Sequence, residues 1–336
     1  MMCEILNPNI EDVVCDPACG TSGFLVGAYQ HILSRNTSNE FKETDENGFN
    51  RGIKGDKILK KDWKNLKERT FFGFDNSQNM VRIGLMNLIL HDITIPQIEH
   101  IDTLSKKFET TKNKEKYTKI FANPPFAAKV SKTDMSDTFR ITQTNSELLF
   151  IDRIIQMLKP EGKAAIIIPE GVLFNSGKGH KTIREVLLKD CILEAVISMP
   201  AGVFKPYTGV KTSILIFTKK QLNSEIFNTE KVWFYEMESD GYSLDDNRRK
   251  LKENPLPGVV ASWVERPIDS SKDRKSHHFY VPLLEIEKQG FDLSINRYKD
   301  FDYEIEEYEA PKELLSKLIS FEKDILNEME KLNHLI

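Results

Sequence analysis

Short apolar runs alternate with amphipathic stretches along the first two thirds of the chain. Runs typical of buried strands cover residues 13–15, 70–75, 98–101, 119–122, 164–168, 192–198 and 213–218. Apolar positions at helical spacing predict helices over residues 24–35, 80–90 and 148–158. Aliphatic strands that alternate with helices are typical of an α/β fold, here a doubly wound, mostly parallel sheet covered on both faces.

Two polar stretches interrupt this alternation. Residues 36–69 predict an inserted loop with one short helix, and residues 127–145 predict a loop that follows the fourth strand. Thr144 and Glu147, three residues apart, resemble a capping box, which would start the helix over 148–158.

The pattern changes beyond about residue 220. Residues 233–237 predict one more strand, whereas residues 241–274 are mostly charged and irregular. Pro311 then opens a helix with apolar residues at spacings of three and four: Leu314, Leu318, Phe321, Ile325, Met329, Leu332 and Ile336. We therefore expect a sheet domain at 1–220, a mixed appendage at 221–310 and a C-terminal helix at 311–336. That helix would pack on its own domain or dock on a partner.

Composition narrows the class of protein. The 336 residues are 40% hydrophobic, and no run approaches the roughly 18 apolar residues of a membrane span. Nothing at Met1 resembles an export signal, so the expectation is a cytoplasmic protein without membrane contact. The four cysteines form no C-x-x-C pair, which predicts reduced thiols and no metal site.

The formal net charge of −4 excludes a chain that is cationic overall, so any DNA contact must be local. The candidates for such contacts form three basic groups, each of which is by default a solvated surface. They are Lys129, Lys132 and Arg140; Lys178, His180, Lys181 and Arg184; and Lys205 and Lys211.

Three predicted strands end in a carboxylate, namely those before Asp16, Asp75 and Asp102. Because the carboxyl ends of parallel strands share one edge, these acids would line one crevice and accept hydrogen bonds from an amine, ribose hydroxyls and a base edge. The small-residue turn at 20–23 adds backbone N–H groups and a helix end. The turn is neither G-x-G-x-x-G nor a P-loop, so a pyrophosphate is not the expected ligand.

Asn123, Pro124, Pro125 and Phe126 follow the fourth predicted strand and form the most specific motif. The exocyclic amine of adenine is a poor nucleophile because its lone pair is delocalised into the ring. Hydrogen bonds to the Asn123 amide oxygen and the Pro124 carbonyl would turn that lone pair towards an electrophile. The prolines fix the turn, and Phe126 offers a face on which a base withdrawn from its duplex can stack.

At this point the chain resembles the S-adenosylmethionine-dependent N6-adenine DNA methyltransferases, most closely the modification (M) subunit of type I restriction-modification systems. The likeness covers residues 13–219 and recurs at 291–298. It rests on Asp-Pro-Ala-Cys-Gly-Thr-Ser-Gly-Phe-Leu at 16–25, Asn-Pro-Pro-Phe at 123–126, Pro-Glu-Gly-Val-Leu-Phe at 169–174 and Pro-Ala-Gly-Val-Phe-Lys-Pro-Tyr-Thr-Gly-Val-Lys-Thr at 200–212.

The resemblance implies a seven-stranded methyltransferase sheet in residues 1–220 and S-adenosylmethionine as cofactor. Gly20, Thr21, Ser22 and Gly23 would pack against the cofactor, although Ser22 stands where many relatives have glycine. Asp75 would hold its ribose hydroxyls, and Asp102 would meet its adenine amine. Asp16 would contact the cofactor or only brace the turn. Asn123 to Phe126 would receive the target base, with Phe204 as a second wall of its pocket.

The resemblance also implies partners. Double-stranded DNA would be the substrate, and no target-recognition domain is present in the sequence. Sequence recognition would therefore belong to a specificity subunit, in a complex with a second modification subunit and a restriction subunit.

Relatives begin with a helical domain and a Phe/Tyr-Thr-Pro segment that helps to hold the cofactor, and this chain starts after both. On this basis we expect a truncated chain that methylates DNA poorly by itself.

Two other functions stay open at this stage. One is a methyltransferase for protein glutamine or RNA, since an amide or another nucleobase amine could meet Asn-Pro-Pro in the same way. Such enzymes more often carry Tyr at the position of Phe126. The other is a non-catalytic structural subunit.

Overall fold

The computed structural model describes residues 1–46, 48–108, 110–220, 228–266, 273–300 and 311–333. The chain divides into two compact units, Met1–Lys299 and Asp300–Ile336. In the described residues, no helix combines the length and apolar character needed to cross a membrane.

The first unit is built on one large sheet and a small hairpin. The strands are β1 (Val14–Asp16), β2 (Glu43–Thr44), β3 (Asn50–Arg51), β4 (Phe71–Asp75), β5 (Gln97–His100), β6 (Tyr117–Ala122), β7 (Leu158–Pro169), β8 (Cys191–Ser198), β9 (Thr212–Lys219), β10 (Lys231–Glu236) and β11 (His278–Pro282). The large sheet has the order β11-β10-β8-β9-β7-β6-β1-β4-β5, and β2 pairs with β3. Within the large sheet, β9 and β11 run antiparallel to their neighbours and the other strands run parallel.

Helices connect these strands. They are α1 (Met2–Leu6), α2 (Gly23–Arg35), α3 (Lys60–Glu68), α4 (Gln78–Leu90), α5 (Thr110–Asn113), α6 (Ser146–Met157), α7 (Gly171–Phe174), α8 (Lys178–Asp190), α9 (Leu256–Glu265) and α10 (Leu283–Lys288), with α11 (Pro311–Asn333) in the second unit. The strands and helices predicted from the apolar pattern are all present. The insertion at 36–69 contains the hairpin and α3.

Two apolar cores cover the two faces of the sheet, because consecutive residues of a strand point to opposite faces. On β6, Ile120 belongs to one core and its neighbour Phe121 to the other, and both are fully buried. The prediction of a mostly parallel sheet buried on both sides is therefore confirmed.

In the part of the chain that the structure describes, the sheet is larger than predicted and has nine strands, not seven. β10 pairs with β8 in parallel, and β11 pairs with β10. Trp233 on β10 is fully buried, and its ring lies 5.7 Å from that of Trp263 on α9. The described part of 221–299 thus extends the main sheet, so the expected boundary between a domain and an appendage at residue 220 is wrong.

The start of α6 also differs from prediction. Its N-cap is Asn145, and no side chain caps the helix. Thr144 instead contributes its carbonyl to a hydrogen bond from the Val130 amide, at 2.9 Å. The capping box expected from Thr144 and Glu147 is therefore absent, because this backbone belongs to the preceding loop.

The second unit consists, in its described part, of the 23-residue helix α11. All of the side chains described for it are exposed, including those of Leu314, Leu318, Phe321, Ile325, Met329 and Leu332, while Ile336 lies outside the described residues.

The turn at 20–22 packs closely against α4 at Gly84. A Cβ atom at Gly84 would lie 2.6 Å from the Ser22 hydroxyl and 3.0 Å from the Gly20 carbonyl oxygen. We expect Gly84→Ala to lower the free energy of unfolding by about 1–3 kcal/mol, the scale for overpacking a close contact. Urea unfolding would measure this change.

The matched control is Gly258→Ala in α9, where a Cβ would meet no atom within 4 Å. Because alanine is intrinsically better in a helix, the control should be neutral or stabilising by up to about 1 kcal/mol. Equal stabilisation by both substitutions would contradict the close contact.

Candidate functional site

Four neighbouring strands bring the predicted polar residues to one edge of the sheet. β6, β1, β4 and β5 are adjacent and parallel. Asp16 and Asp75 end β1 and β4, while Asp102 and Asn123 follow β5 and β6 directly or within two residues. All four therefore lie at the carboxyl edge, where ligands of open α/β sheets bind.

A cavity of about 530 Å³ opens at this edge. Of the predicted site residues, Asp75, Asp102, Asn123 and Pro125 line it. The rest of its wall comes from Pro17, Ala18, Asn76, Ser77, Met80, Ile101, Thr103, Leu104, Ala128, Lys129, Val130, Ser131, Asp134, Ser146 and Phe150. Most of these residues were missed by sequence reasoning, because they lie in loops without a recognisable motif.

Asp75 both lines the cavity and holds the turn that precedes α2. One of its carboxylate oxygens accepts a hydrogen bond from the Gly20 amide at 2.9 Å, and the other accepts from the Ser77 amide at 2.8 Å. A carboxylate has about four lone-pair positions, so each oxygen can still accept a hydrogen bond from a ligand.

Asp16 lies just behind the cavity wall. Its side chain is only 2% exposed, and one oxygen accepts a hydrogen bond from the Ala18 amide at 3.0 Å. Burial raises the pKa of Asp16 to about 7; the Ala18 hydrogen bond opposes this shift, and the nearby Asp75 charge adds to it. Of the two roles left open from sequence, this position favours bracing the turn.

Residues 20–23 do not line the cavity as it stands. Gly20 has a φ of 51° and Ser22 a φ of 62°, which gives the turn its left-handed geometry. The Ser22 side chain is fully buried, and its hydroxyl faces Gly84 of α4. Thr21 and Gly23 are exposed at the surface.

Asp102 follows β5 and Asn123 follows β6, and β1 and β4 lie between these two strands in the sheet. One oxygen of its carboxylate accepts a hydrogen bond from the Leu104 amide at 2.8 Å. The neighbouring Thr103 hydroxyl donates to the Pro17 carbonyl at 3.1 Å and so joins this loop to the turn after β1. The loop therefore has a fixed position relative to the turn.

Arg153 on α6 supports the site and was missed from sequence. It is fully buried, and burial lowers the pKa of its guanidinium to about 10. Its Nε donates to the Thr103 carbonyl at 2.8 Å, and its guanidinium lies 4.5 Å from the centre of the Phe139 ring. It thereby connects the loop after β5 to the loop at 127–145. The signal in the sequence was a charged pair, Asp152 and Arg153, inside an otherwise apolar helix.

Two residues of the Asn-Pro-Pro-Phe segment, Asn123 and Pro125, line the cavity, whereas Pro124 and Phe126 do not. Asn123 is exposed, and the Pro125 carbonyl accepts a hydrogen bond from the Ser146 hydroxyl at 3.1 Å. Within the described residues, nothing donates a hydrogen bond to the Asn123 amide oxygen or to the Pro124 carbonyl. The Asn123 amide oxygen is therefore available at the cavity, whereas Pro124 is buried and does not line it.

Phe126 and Phe204 come from different loops and contact each other. Their ring centroids are 5.8 Å apart in an edge-to-face arrangement. Both side chains are half-buried and pack against the core on one face of the sheet. They form adjoining parts of one apolar wall next to Asn123.

Several of the basic candidates for DNA contact have structural roles. Arg184 is buried and donates to the Phe291 and Val172 carbonyls at 2.7 and 2.8 Å. Three further basic side chains form ion pairs: Arg140 with Asp152 and Asp190, Lys205 with Asp246 at 3.4 Å, and Lys211 with Glu170 at 3.3 Å. Lys129, Lys132, Lys178 and Lys181 are exposed.

Comparison with known proteins identifies the family. The sequence model of the N-6 DNA methylase family matches residues 1–307. The EcoEI type I restriction enzyme methylase subunit of Escherichia coli is 30% identical over 338 residues, 97% of this chain and 62% of that protein. The corresponding EcoKI subunit of Escherichia coli strain K12 is 31% identical over 243 residues, 70% of this chain and 42% of that protein.

A solved structure agrees with this result. The crystal structure of the type I restriction enzyme EcoKI M protein has a TM-score of 0.70 and 26% identity, and the match covers 87% of this chain and 64% of that one. The chain thus spans less than two thirds of the length of each of these relatives. On the extent of the family match, the chain belongs to the N-6 DNA methylase family.

Proposed function

We propose that this chain transfers the methyl group of S-adenosylmethionine to the N6 amino group of adenine in DNA, as the modification subunit of a type I restriction-modification complex. The observation that carries the proposal is the exposed Asn123 amide, whose oxygen accepts no hydrogen bond from a described residue, in the wall of a cavity that Asp75 and Asp102 also line. Family membership supports the same activity.

The cavity fits a nucleoside cofactor in size and chemistry. Its volume of about 530 Å³ lies within the usual range for small-molecule sites. Asp75 would accept hydrogen bonds from ribose hydroxyls, and Asp102 would accept one from the adenine amine. Gly20 and Gly23 belong to the turn that would lie beside the cofactor, with Thr21 and Ser22 between them. When bound, S-adenosylmethionine supplies a methyl group on a positively charged sulfur.

The residues of this chain would activate the target amine by hydrogen bonding. The Asn123 amide oxygen and the Pro124 carbonyl accept its two hydrogens, which draws the nitrogen lone pair out of conjugation and towards the methyl carbon. An amine held in this way would be directed at the methyl group that S-adenosylmethionine would supply, and the proton displaced from the nitrogen on methylation would leave to solvent. Pro125 holds the turn through its carbonyl, which is fixed by Ser146.

The substrate would be double-stranded DNA with the adenine turned out of its stack. Phe126 and Phe204 would provide the apolar wall for this base. The exposed Lys129 lines the cavity and is well placed to contact a phosphate of the flanking strand.

The partner proposal rests on α11. A specificity subunit would supply sequence recognition, and a second modification subunit and a restriction subunit would complete the complex. Phe321, Ile325 and Met329 follow one another at spacings of four and are 60–64% exposed. A contiguous exposed apolar face of this kind marks an interaction surface.

Asn123 gives the sharpest test of the activity. Transfer of a labelled methyl group to DNA would be measured with and without a specificity subunit. We expect Asn123→Ala to lower the rate at least about a hundredfold, the scale for removing one preorganised polar group that acts in the transition state. Asn123→Asp keeps an acceptor oxygen and should retain more activity. Cofactor affinity should change little in both variants. Methylation by Asn123→Ala within a fewfold of the original chain would refute the assignment.

Asp75 tests the cofactor site. Calorimetry should show that Asp75→Ala weakens binding of S-adenosylmethionine by about 1–3 kcal/mol, because charge-assisted hydrogen bonds to hydroxyls are lost. The substitution also removes the acceptor for the Gly20 amide, so circular dichroism must first show a folded protein at the temperature used. Unchanged affinity in a folded variant would rule out this role.

α11 tests the partner proposal. We expect the double substitution Ile325→Asp and Met329→Asp to abolish co-purification with the specificity subunit, because it places charges on the apolar face. The control, Lys323→Asp, adds negative charge on the opposite face of the same helix and should leave co-purification intact. Retained co-purification of the double variant would show that this face is not the docking surface.

A further inference from the structure

Tyr207 is an unusual surface residue. With 93% of its side chain exposed, it is the most exposed large apolar or aromatic residue in the described parts of the chain. Neither a hydrogen bond nor a ring contact joins its side chain to another described residue. Such a ring contributes nothing to the core and is free to contact a partner, and its position in the fold indicates which one.

The turn that carries Tyr207 is firmly held. The Thr208 amide donates to the Phe204 carbonyl at 3.0 Å, and the Lys205 amide donates to the Gly202 carbonyl at 3.1 Å. Gly202 has a φ of 92°, and a Cβ there would lie 2.8 Å from the Leu244 carbonyl oxygen. The ring of Tyr207 is therefore presented by an ordered turn.

The same turn forms part of the proposed base pocket. Phe204 packs its ring against Phe126, 5.8 Å away, and Tyr207 follows three residues later on the solvent side. A duplex whose adenine stacked on Phe126 and Phe204 would lie against the turn that carries Tyr207, because the Thr208 amide of this turn is bonded to Phe204. We therefore take DNA as the partner that Tyr207 contacts.

We propose that Tyr207 is a positioning residue that enters the DNA stack at the site vacated by the target adenine. This inference rests on the proposed function. Withdrawing a base leaves its neighbours unstacked, and an inserted side chain with a flat face restores part of the lost stacking. Tyr207 would contact the duplex and not the reacting atoms, so it would act by raising the population of the extruded adenine.

Base extrusion can be measured without methyl transfer. The experiment uses the assembly in which methyl transfer has been detected and a duplex with the methylated sequence, mapped by sequencing. For the extrusion measurement, 2-aminopurine, which has no amine at C6, replaces the target adenine and becomes fluorescent when unstacked. Methyl transfer is measured on matched duplexes that keep the adenine. Tyr207→Ala, Tyr207→Phe and Leu284→Ala are compared. Leu284 is a suitable control because it is 71% exposed and lies in the first turn of α10, two residues after β11. The end of β11 lies beside the start of β10, at the opposite edge of the sheet from the cavity.

We expect Tyr207→Ala to reduce both the fluorescence increase and methyl transfer at least about tenfold, as loss of one base–aromatic stack predicts. Tyr207→Phe keeps the ring and should resemble the original chain, as should Leu284→Ala. A second duplex carries an abasic site opposite the target, which makes extrusion easier. On this duplex the defect of Tyr207→Ala should shrink to about threefold or less.

Two results would overturn the inference. Tyr207→Ala could extrude the base as well as the original chain, or its defect could be equally large on both duplexes. The second result would indicate contact with the extruded adenine or a general loss of structure. Failure to detect methyl transfer to DNA by the original chain in any assembly, which is established before the variants are compared, would instead refute the proposed function, so the two failures are distinguishable.

Discussion

Hydrogen bonds between neighbouring strand-end turns hold the candidate site together. The Cys19 amide donates to the Phe74 carbonyl at 2.9 Å, and the Gly20 amide donates to the Asp75 carboxylate at the same distance. The Thr103 hydroxyl donates to the Pro17 carbonyl. These bonds join the loops after β1, β4 and β5 into one layer. Without them, three separate loops would each place a polar group independently, and the carboxylates would lose their fixed spacing.

Two buried charged residues of α6 also hold the loops of the site in place. Asp152 and Arg153 on α6 are both fully buried, yet each has partners in the loop that covers the cavity. Asp152 accepts hydrogen bonds from the amide and guanidinium of Arg140, and Arg153 reaches the Thr103 carbonyl. An unpaired charge in such a position would be strongly destabilising. These contacts therefore restrict the loop at 127–145 to conformations that keep Arg140 on Asp152 and the Phe139 ring on Arg153.

Contacts outside the site explain how distant segments of the chain act as one unit. The Leu293 amide donates to the Leu173 carbonyl at 2.9 Å, and Arg184 reaches the Phe291 and Val172 carbonyls. The segment at 291–298 thereby docks against the end of β7 and α7. This anchoring, together with the pairing of β10 and β8, makes the strands beyond residue 220 part of the domain that carries the cavity.

The sequence by itself determined the strand and helix succession and the edge at which Asp16, Asp75, Asp102 and Asn123 meet. Both follow from local periodicity and from the rule that parallel strands share one carboxyl edge. Only the tertiary structure decided that Asp16 and the Ser22 side chain are buried away from the cavity. It likewise decided that Arg184 is internal and that β10 and β11 extend the sheet. These outcomes depend on contacts between residues far apart in the chain, and side-chain direction and pairing across such distances leave no periodic signal in the sequence.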